Sequence, residues 1–418
     1  MASNDVEVVV VGGGAAGVAA AKRLCQASIR CLLVEARPRL GGRAWTVHDE
    51  SGHALDLGCG WLHSADRNPW VSVAQAEGLT VDRTPPPWMN RPLERSFPRA
   101  ELIDFRKAFN EFYDRLHDAA QRHGDGPASS LLDPSSRWNP LMNATSTYIS
   151  GAALDRISLK DLDRYDSTDV NWRAVEGYGT LISKHGAALP QMLGCPVSAV
   201  DHGGKRLRIE TSKGAIAADQ VIVTVPTSVL AAERIGFTPA LPQKIEAARG
   251  LPLGVDDKLF ITLAGAEEFD TSVRVYGRTD RVGTAGYHLR PFGWPIIECY
   301  FGGDCAAELE NGGLAAFFDF AVSELTGVFG SDFARRLKPI RVHCWRSDPL
   351  ALGAYSYASP GNADCRAALA EPVDDRLFFA GEACSRHDFS TAHGGYLTGV
   401  AAVEQVIAAR KVKQNTSR

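Results

Sequence analysis

The sequence predicts an α/β fold, a Rossmann-like dinucleotide-binding domain with a second domain inserted into it, and two observations carry that prediction. A β-branched apolar run, Val6 to Val11, flows into Gly12-Gly13-Gly14-Ala15-Ala16-Gly17, then a helix-like stretch, Val18 to Ser28, then the apolar run Cys31 to Val34 and the acid Glu35. Patterns of the same buried-strand kind recur far downstream, at Val221 to Val225 and at Arg376 to Glu382, with stretches of different character between them. Strand, tight turn, helix, strand and carboxylate is the order a dinucleotide site needs.

Each part of the first unit has its own physical reason. Gly12 permits the turn, Gly14 lets backbone approach a pyrophosphate, and Gly17 lets the helix pack closely on the strand. Ala16 lies in the same loop and counts among the cofactor contacts. The helix N-terminus offers free N–H groups and a partial positive charge to phosphates. Glu35 suits the adenosine ribose hydroxyls. After it, Ala36-Arg37-Pro38-Arg39-Leu40-Gly41-Gly42-Arg43 reads as a second backbone approach to phosphate, with Arg43 as a nearby cation. The fingerprint leaves FAD and NAD open.

Composition narrows the class. The chain has 418 residues, 45% hydrophobic and 22% charged, enough for two or three domain-sized units with ample core. A net charge of −4 without a basic run argues against nucleic acid or an anionic membrane surface as partner. No apolar run is expected to reach membrane-spanning length, and a first strand near Val6 leaves no room for a signal peptide. Nine cysteines at scattered spacings suggest reduced thiols in a cytoplasmic protein, with no metal site.

Further along, Thr84-Pro85-Pro86-Pro87-Trp88 breaks regular structure and marks a domain crossing. Glu101 to His123 carries Leu102, Phe105, Phe109, Phe112, Leu116 and Ala119 at helical spacing, an amphipathic helix expected to serve core rather than cofactor. Strands are expected at Leu207–Glu210, Val221–Val225, Leu259–Leu263 and Pro295–Phe301, and a closing helix at Tyr396–Arg410. The expected division is 1–83, 186–250 and 351–418 for the cofactor domain, with 84–185 and 251–350 forming the substrate domain.

Several segments together resemble the flavin-containing amine oxidase family, which includes monoamine and polyamine oxidases and the flavin histone demethylases. They are the glycine fingerprint with Glu35, Leu40-Gly41-Gly42-Arg43, Asp56-Leu57-Gly58-Cys59-Gly60-Trp61-Leu62-His63 with Asn68-Pro69, and Val223-Thr224-Val225-Pro226. They continue with Lys258, Trp345-Arg346-Ser347-Asp348-Pro349, Gly353-Ala354-Tyr355-Ser356-Tyr357, Phe379-Ala380-Gly381-Glu382-Ala383 and His393-Gly394-Gly395-Tyr396. The resemblance runs from Val6 to about Ala408 and is weakest across 81–175 and 264–335. It implies a noncontiguous FAD domain, a substrate domain on a mixed sheet flanked by helices, and a flavin ring at their junction.

The resemblance also implies roles. The Gly58-Cys59-Gly60-Trp61 loop would pass beside the flavin ring, with His63 near the substrate. Lys258 would hold a water against flavin N5, where an ammonium favours negative charge when reduced flavin meets oxygen. Tyr355 and Tyr396 would flank the amine as two aromatic faces, and Trp345 would pack on the flavin. Gly381 and Glu382 would meet the ribityl or pyrophosphate region, although a carboxylate beside phosphate needs a compensating partner. Val197 would contact adenine, and Thr391 and Ala392, at the last helix's N-terminus, would face the flavin pyrimidine. Ala354 stands where monoamine oxidases carry the cysteine bonded to flavin, so noncovalent FAD is expected.

The implied activity is oxidation of an amine that binds neutral. Its α-carbon gives hydride to flavin N5, the imine is hydrolysed to an aldehyde, and molecular oxygen is reduced to hydrogen peroxide. Rival expectations are an L-amino-acid oxidase, for which Arg91, Arg95 or Arg290 would hold the carboxylate, a flavin desaturase, or a flavin-fold protein without turnover.

Overall fold

Five parallel strands stand in the order Leu377–Phe379, Gln220–Val223, Val8–Val11, Cys31–Val34 and Gln191–Met192. The computed structural model in which they are seen describes residues 6–89, 92–122 and 124–416. Val8–Val11 and Gln220–Val223 are buried throughout, as strands covered on both faces must be. Val8, Val10, Ile222 and Phe378 join one core with the helices Ala15–Gln26 and Ala392–Thr416. Val9, Val11, Val221, Val223, Leu377 and Phe379 join another on the opposite face. That face is covered by a four-stranded sheet ordered Gly214–Ala218, Leu207–Thr211, Val197–Asp201 and Gly236–Thr238.

The last helix begins at Ala392, where the resemblance implies its N-terminus and about a turn before the Tyr396 start of the sequence pattern. His393-Gly394-Gly395 is a poor helix former, so the reason is tertiary. A Cβ on Gly399 would stand 2.3 Å from the Ala16 carbonyl oxygen, and one on Gly395 would touch Ala15 at 3.6 Å. Glycine lets the first and last helices meet backbone to backbone there. The first helix starts at Gly14 with no capping side chain, so its first-turn N–H groups are left for a ligand.

A second five-stranded sheet runs Val273–Tyr276, Gly286–Leu289, Ile296–Gly302, Asp256–Leu263, Leu337–Val342. Every pairing in it is antiparallel, where the resemblance implies a mixed sheet. The strand Asp256–Leu263, second from one edge, turns alternate side chains to opposite faces. Leu259, Ile261 and Leu263 pack with Phe317, Ala321 and Leu325, so Asp256, Lys258 and Phe260 leave the other face. Arg99–Arg122 is the expected amphipathic helix, burying Leu102, Phe105, Phe112, Leu116 and Ala119; His123 lies outside the described residues.

One expectation needs correction. The helical run Gly303–Phe329 is long and apolar enough to cross a membrane by length and composition. It is interrupted around Glu310–Gly312, where the Glu310 carboxylate accepts from the Arg346 and Ser347 amides, and Phe317, Ala321 and Leu325 pack it on the antiparallel sheet. The apolar count missed it because acids at Asp304, Glu308, Glu310, Asp319 and Glu324 are spread along it.

Candidate active site

One cavity of about 1330 Å³ runs from the glycine loop into the space between the two five-stranded sheets. It collects nearly all the residues picked from sequence. Gly12, Gly14, Ala16, Glu35, Ala36, Arg37, Gly42, Arg43, Val197, Gly381, Glu382, Thr391 and Ala392 line it at the fingerprint end. Gly58, Cys59, Gly60, Trp61, His63, Lys258, Trp345 and Tyr355 line it farther in. Two do not. Gly17 is buried behind the loop, where a Cβ would stand 1.8 Å from the Gly12 carbonyl oxygen; its part is packing, as the fingerprint requires. Tyr396 is the other.

At the fingerprint end the Glu35 carboxylate accepts from the Gly13 amide at 2.5 Å and the Arg37 amide at 2.7 Å. Those bonds fix it in the wall. A Cβ on Gly14 would meet only the Gly42 Cα, at 4.0 Å, and one on Gly381 would meet nothing within 4 Å. The Arg37 guanidinium is held by Asp348 at 2.8 Å. Arg43 donates to Glu382 at 3.0 Å and to the Ala354 carbonyl at 2.7 Å, which answers how an acid fits beside phosphate. Glu382 also accepts from the Ser356 hydroxyl at 2.6 Å and the Ser390 amide at 3.0 Å. Burial alone would raise the Glu382 carboxyl; the Arg43 charge, the Ser356 bond and the Arg366 charge outweigh it and hold it low.

At the junction, Lys258 is no solvated edge lysine. It is 4% exposed on the strand Asp256–Leu263, with Nζ 3.0 Å from Glu298 Oε1 and 3.1 Å from the Asp56 carbonyl. Glu298 is fully buried and pairs also with Arg173 at 2.9 Å, and His288 Nδ1 lies 3.8 Å away. Burial would raise the Glu298 carboxyl, but the charges of Arg173 and Lys258 pull it down to about 2. Burial lowers His288 to about 3 against the attraction of Glu298. A Cβ on Gly60 would come 3.2 Å from Lys258 Nζ, and one on Gly58 2.9 Å from the Trp345 ring. Trp345 is held by donation to the Leu57 carbonyl at 2.9 Å.

His63 Nδ1 lies 2.6 Å from Asn171 Oδ1, and the Asn171 amide nitrogen donates to the Asp169 carbonyl at 2.9 Å. With that amide orientation, Nδ1 carries the proton and Nε2 is the acceptor. Burial lowers the imidazole to about 4 although the Asn171 bond works the other way. His63 is therefore neutral at neutral pH.

The aromatic pair does not form. Tyr396 packs edge-on against Trp70, ring centroids 5.2 Å apart, against the core shared by the first and last helices, away from the cavity wall. Because the helix starts at Ala392, the wall positions fall to Thr391, Ala392 and Gly395, and the next residue turns into the protein. Tyr355 does line the cavity, its hydroxyl donating to the Tyr148 carbonyl at 2.7 Å. Its aromatic company is Tyr165, which acts on it electrostatically, and Phe389, 5.2 Å from Tyr165 and edge-on.

Sequence reasoning missed other wall residues. Leu102, Phe105, Phe109 and Leu116 line the chamber as well as filling core, since an amphipathic stripe says which face is covered but not whether a cavity lies against it. Glu298, buried behind the wall, had a signal: an acid inside the apolar run Ile296-Ile297-Glu298-Cys299. Of the arginines considered for a carboxylate, Arg95 stacks on Phe329 and Arg290 donates to the Phe269 and Gly293 carbonyls, both away from the cavity. Arg91 lies outside the described residues. Arg106 and Arg274 do line it.

Comparison with known proteins agrees with this geometry. Residues 15–167 and 134–407 match the family described as flavin containing amine oxidoreductase. The chain is similar to probable polyamine oxidase 4 of Arabidopsis thaliana, 30% identical over 96% of this chain and 87% of that protein. It is similar to polyamine oxidase 5 of Oryza sativa subsp. japonica, 28% identical over 96% and 88%. Lysine-specific histone demethylase 1 homolog 2 of Arabidopsis thaliana is 26% identical, over 97% of this chain but 59% of its own length. The chain belongs to the flavin-containing amine oxidoreductase family. It is an oxidoreductase acting on amines, with FAD as its noncovalently held cofactor. The wall fits that group: open space stands over Gly14 and Gly381, two helix N-termini face the cavity, and burial pushes the Cys59 thiol up to about 12, keeping it protonated.

Proposed function

We propose that this flavoenzyme oxidises an amine at its α-carbon to an imine, which water converts to an aldehyde, with molecular oxygen reduced to hydrogen peroxide. Bound FAD supplies the hydride acceptor, N5, and oxygen restores it. The observation that carries this reading is the continuity of one cavity from the glycine cradle to an aromatic chamber, with a buried ammonium, Lys258, at the junction.

The chain's residues divide the work. Segments 1–83, 186–250 and 351–418 hold the cofactor, and 84–185 and 251–350 build the chamber. The cradle at Gly12–Gly14 and Gly41–Arg43 binds pyrophosphate, Glu35 takes the ribose hydroxyls, and Val197 covers adenine. Tyr355, with Tyr165 and Phe389, orients the amine in place of the expected tyrosine pair. Lys258 uses two of its three N–H donors on Glu298 and Asp56, leaving one for a water at the flavin edge. Neutral His63 accepts at Nε2 without adding positive charge.

An amine of pKa roughly 10 is mostly cationic at neutral pH, so turnover rises with pH; a flat reductive half-reaction between about pH 6 and 9 would contradict neutral-amine chemistry. A peroxide-coupled screen of mono-, di- and polyamines in air, with amino acids alongside, tests the assignment. Peroxide from amines supports it. Peroxide from amino acids only favours the second reading, an L-amino-acid oxidase using Arg274 or Arg106 for the carboxylate. Peroxide from neither, with FAD bound, refutes both.

A further inference from the structure

Asp256 precedes Lys258 by two residues on the same strand, so both side chains leave the same sheet face, and both line the cavity. Opposite Asp256 the neighbouring strand carries Gly302, which has no side chain to pair with it. The nearby Tyr355 hydroxyl spends its proton on the Tyr148 carbonyl. Asp256 Oδ1 is buried without a hydrogen-bond partner. A desolvated carboxylate oxygen left unpaired is unfavourable and asks for a donor. Lys258 Nζ is directed to Glu298 and the Asp56 carbonyl, and no bond from it reaches Asp256. Asp257, next on the strand, faces away and accepts from the Trp345 amide.

We propose that Asp256 is the group that takes the proton from the incoming substrate ammonium. One N–H bond of R–NH3⁺ breaks, its electron pair stays on nitrogen, and an O–H bond forms on the carboxylate, leaving neutral R–NH2 and Asp–COOH; where the free carboxyl is protonated it first gives its own proton to solvent, so the net change there is R–NH3⁺ to R–NH2 plus one H⁺ released. This rests on the amine-oxidation reading and adds the origin of the neutral amine that reading needs. Burial pushes the Asp256 carboxyl up to about 8 against the opposing influence of Lys258 and Tyr355, while Glu298, from the neighbouring strand, adds to the rise. Tyr148, on the helix Asn139–Ser150, and Tyr165, Arg274 and Tyr300 are further titratable groups lining the cavity, while Asp257 faces the other side of the strand. Such a carboxylate is far more basic than an ordinary aspartate at about 3.9, and closer to an alkylamine at roughly 10.

The test is proton release on binding an amine that cannot be oxidised. tert-Butylamine has no hydrogen on its α-carbon, and calorimetry of the FAD-loaded enzyme in two buffers of different ionisation enthalpy counts the protons. With Asp256 as acceptor, wild type releases close to one proton per amine at about pH 7, where the free carboxyl is protonated, and close to none at about pH 9. Asp256→Asn should abolish that pH dependence, and Asp256→Glu should restore it; flavin absorbance per protein checks that each variant is folded. In turnover, Asp256→Asn should also move the rising limb of kcat/KM toward the free-amine value, roughly 10. Amine binding whose proton release does not vary with pH in wild type, or varies unchanged in Asp256→Asn, overturns the assignment of Asp256 alone. No detectable amine binding, together with an empty peroxide screen, overturns the amine-oxidase reading and this proposal with it.

Discussion

In the glycine-lined half of the cavity the working groups are backbone amides and empty space, and side chains such as Glu35 and Glu382 are locked by bonds from neighbouring loops. Beyond Gly60 the working groups are side chains, and Lys258, Glu298 and Arg173 are charged and buried. The first half tolerates no added atoms, because each missing Cβ is either a helix–strand contact or room for the cofactor. The second half tolerates no missing charge, because each ion is compensated by another brought from a distant segment. One half is vulnerable to bulk, the other to neutralisation.

Glu298→Ala strikes the second half hardest. It leaves Lys258 and Arg173 buried without their carboxylate, and loss of one partner of a buried pair costs about 3–5 kcal/mol. Urea unfolding of the FAD-loaded protein should show that loss; unchanged stability would mean the cluster is wetter than its burial implies. Lys258→Met removes one of the two cations and leaves Arg173 to pair Glu298, so stability should fall less. Anaerobic flavin reduction by amine should persist while reoxidation slows by roughly a hundredfold. Slowed reduction with normal reoxidation would overturn the role given to Lys258.

The first half is probed by bulk. Gly17→Ala places a Cβ 1.8 Å from the Gly12 carbonyl oxygen and should destabilise the protein by about 1–3 kcal/mol or more. Gly14→Ala meets only Gly42, at 4.0 Å, so unfolding of the apoprotein should hardly change while FAD affinity drops about tenfold, ~1.4 kcal/mol. If Gly14→Ala unfolds the apoprotein but spares FAD binding, its open space is not cofactor space.

Acid separates the halves next. His63, half-buried, and His288, buried, have pKa values lowered by burial to about 4 and 3, below the ~6.5 of an unfolded histidine. The unfolded chain therefore binds the extra protons, and the stability these residues contribute is present above about pH 6.5 and lost as pH falls toward their folded values. Each costs ~1.4 kcal/mol per pH unit crossed in that window. His288→Gln should flatten the slope of the unfolding midpoint between about pH 6 and 4. The smallest effect belongs to Tyr396→Phe, which keeps the ring against Trp70 and should change kcat/KM by less than about twofold, under ~0.5 kcal/mol. A large loss there would restore the tyrosine pair.

How much was legible differs between the halves for a physical reason. The fingerprint, Glu35, the Gly41-Gly42-Arg43 turn and Gly381-Glu382 announce themselves because a backbone cradle is made of consecutive residues, and glycine is the signature of a Cβ that would collide. Lys258 was found only through its family motif; on its own it would have passed for a solvated residue. Tyr396 was misplaced because it lies a turn inside the last helix, on the side packed against Trp70, while Thr391, Ala392 and Gly395 supply the cavity wall. Asp256 and Glu298 stood in plain sight within apolar strands, yet no local pattern said that one was paired and the other unpaired.

Linear order thus settled what depends on neighbours along the chain: the parallel strands with their alternating cores, the dinucleotide turn, the absence of a cysteine at Ala354. The folded arrangement settled what depends on neighbours across it: which rings stand near Tyr355, which acid neutralises Lys258 and Arg173, and where a carboxyl oxygen is left without a hydrogen-bond partner. Side-chain electrostatics acts over a few ångströms of space, and the residues it joins here, from Asp56 through Arg173 and Lys258 to Glu298, are brought within that range by packing.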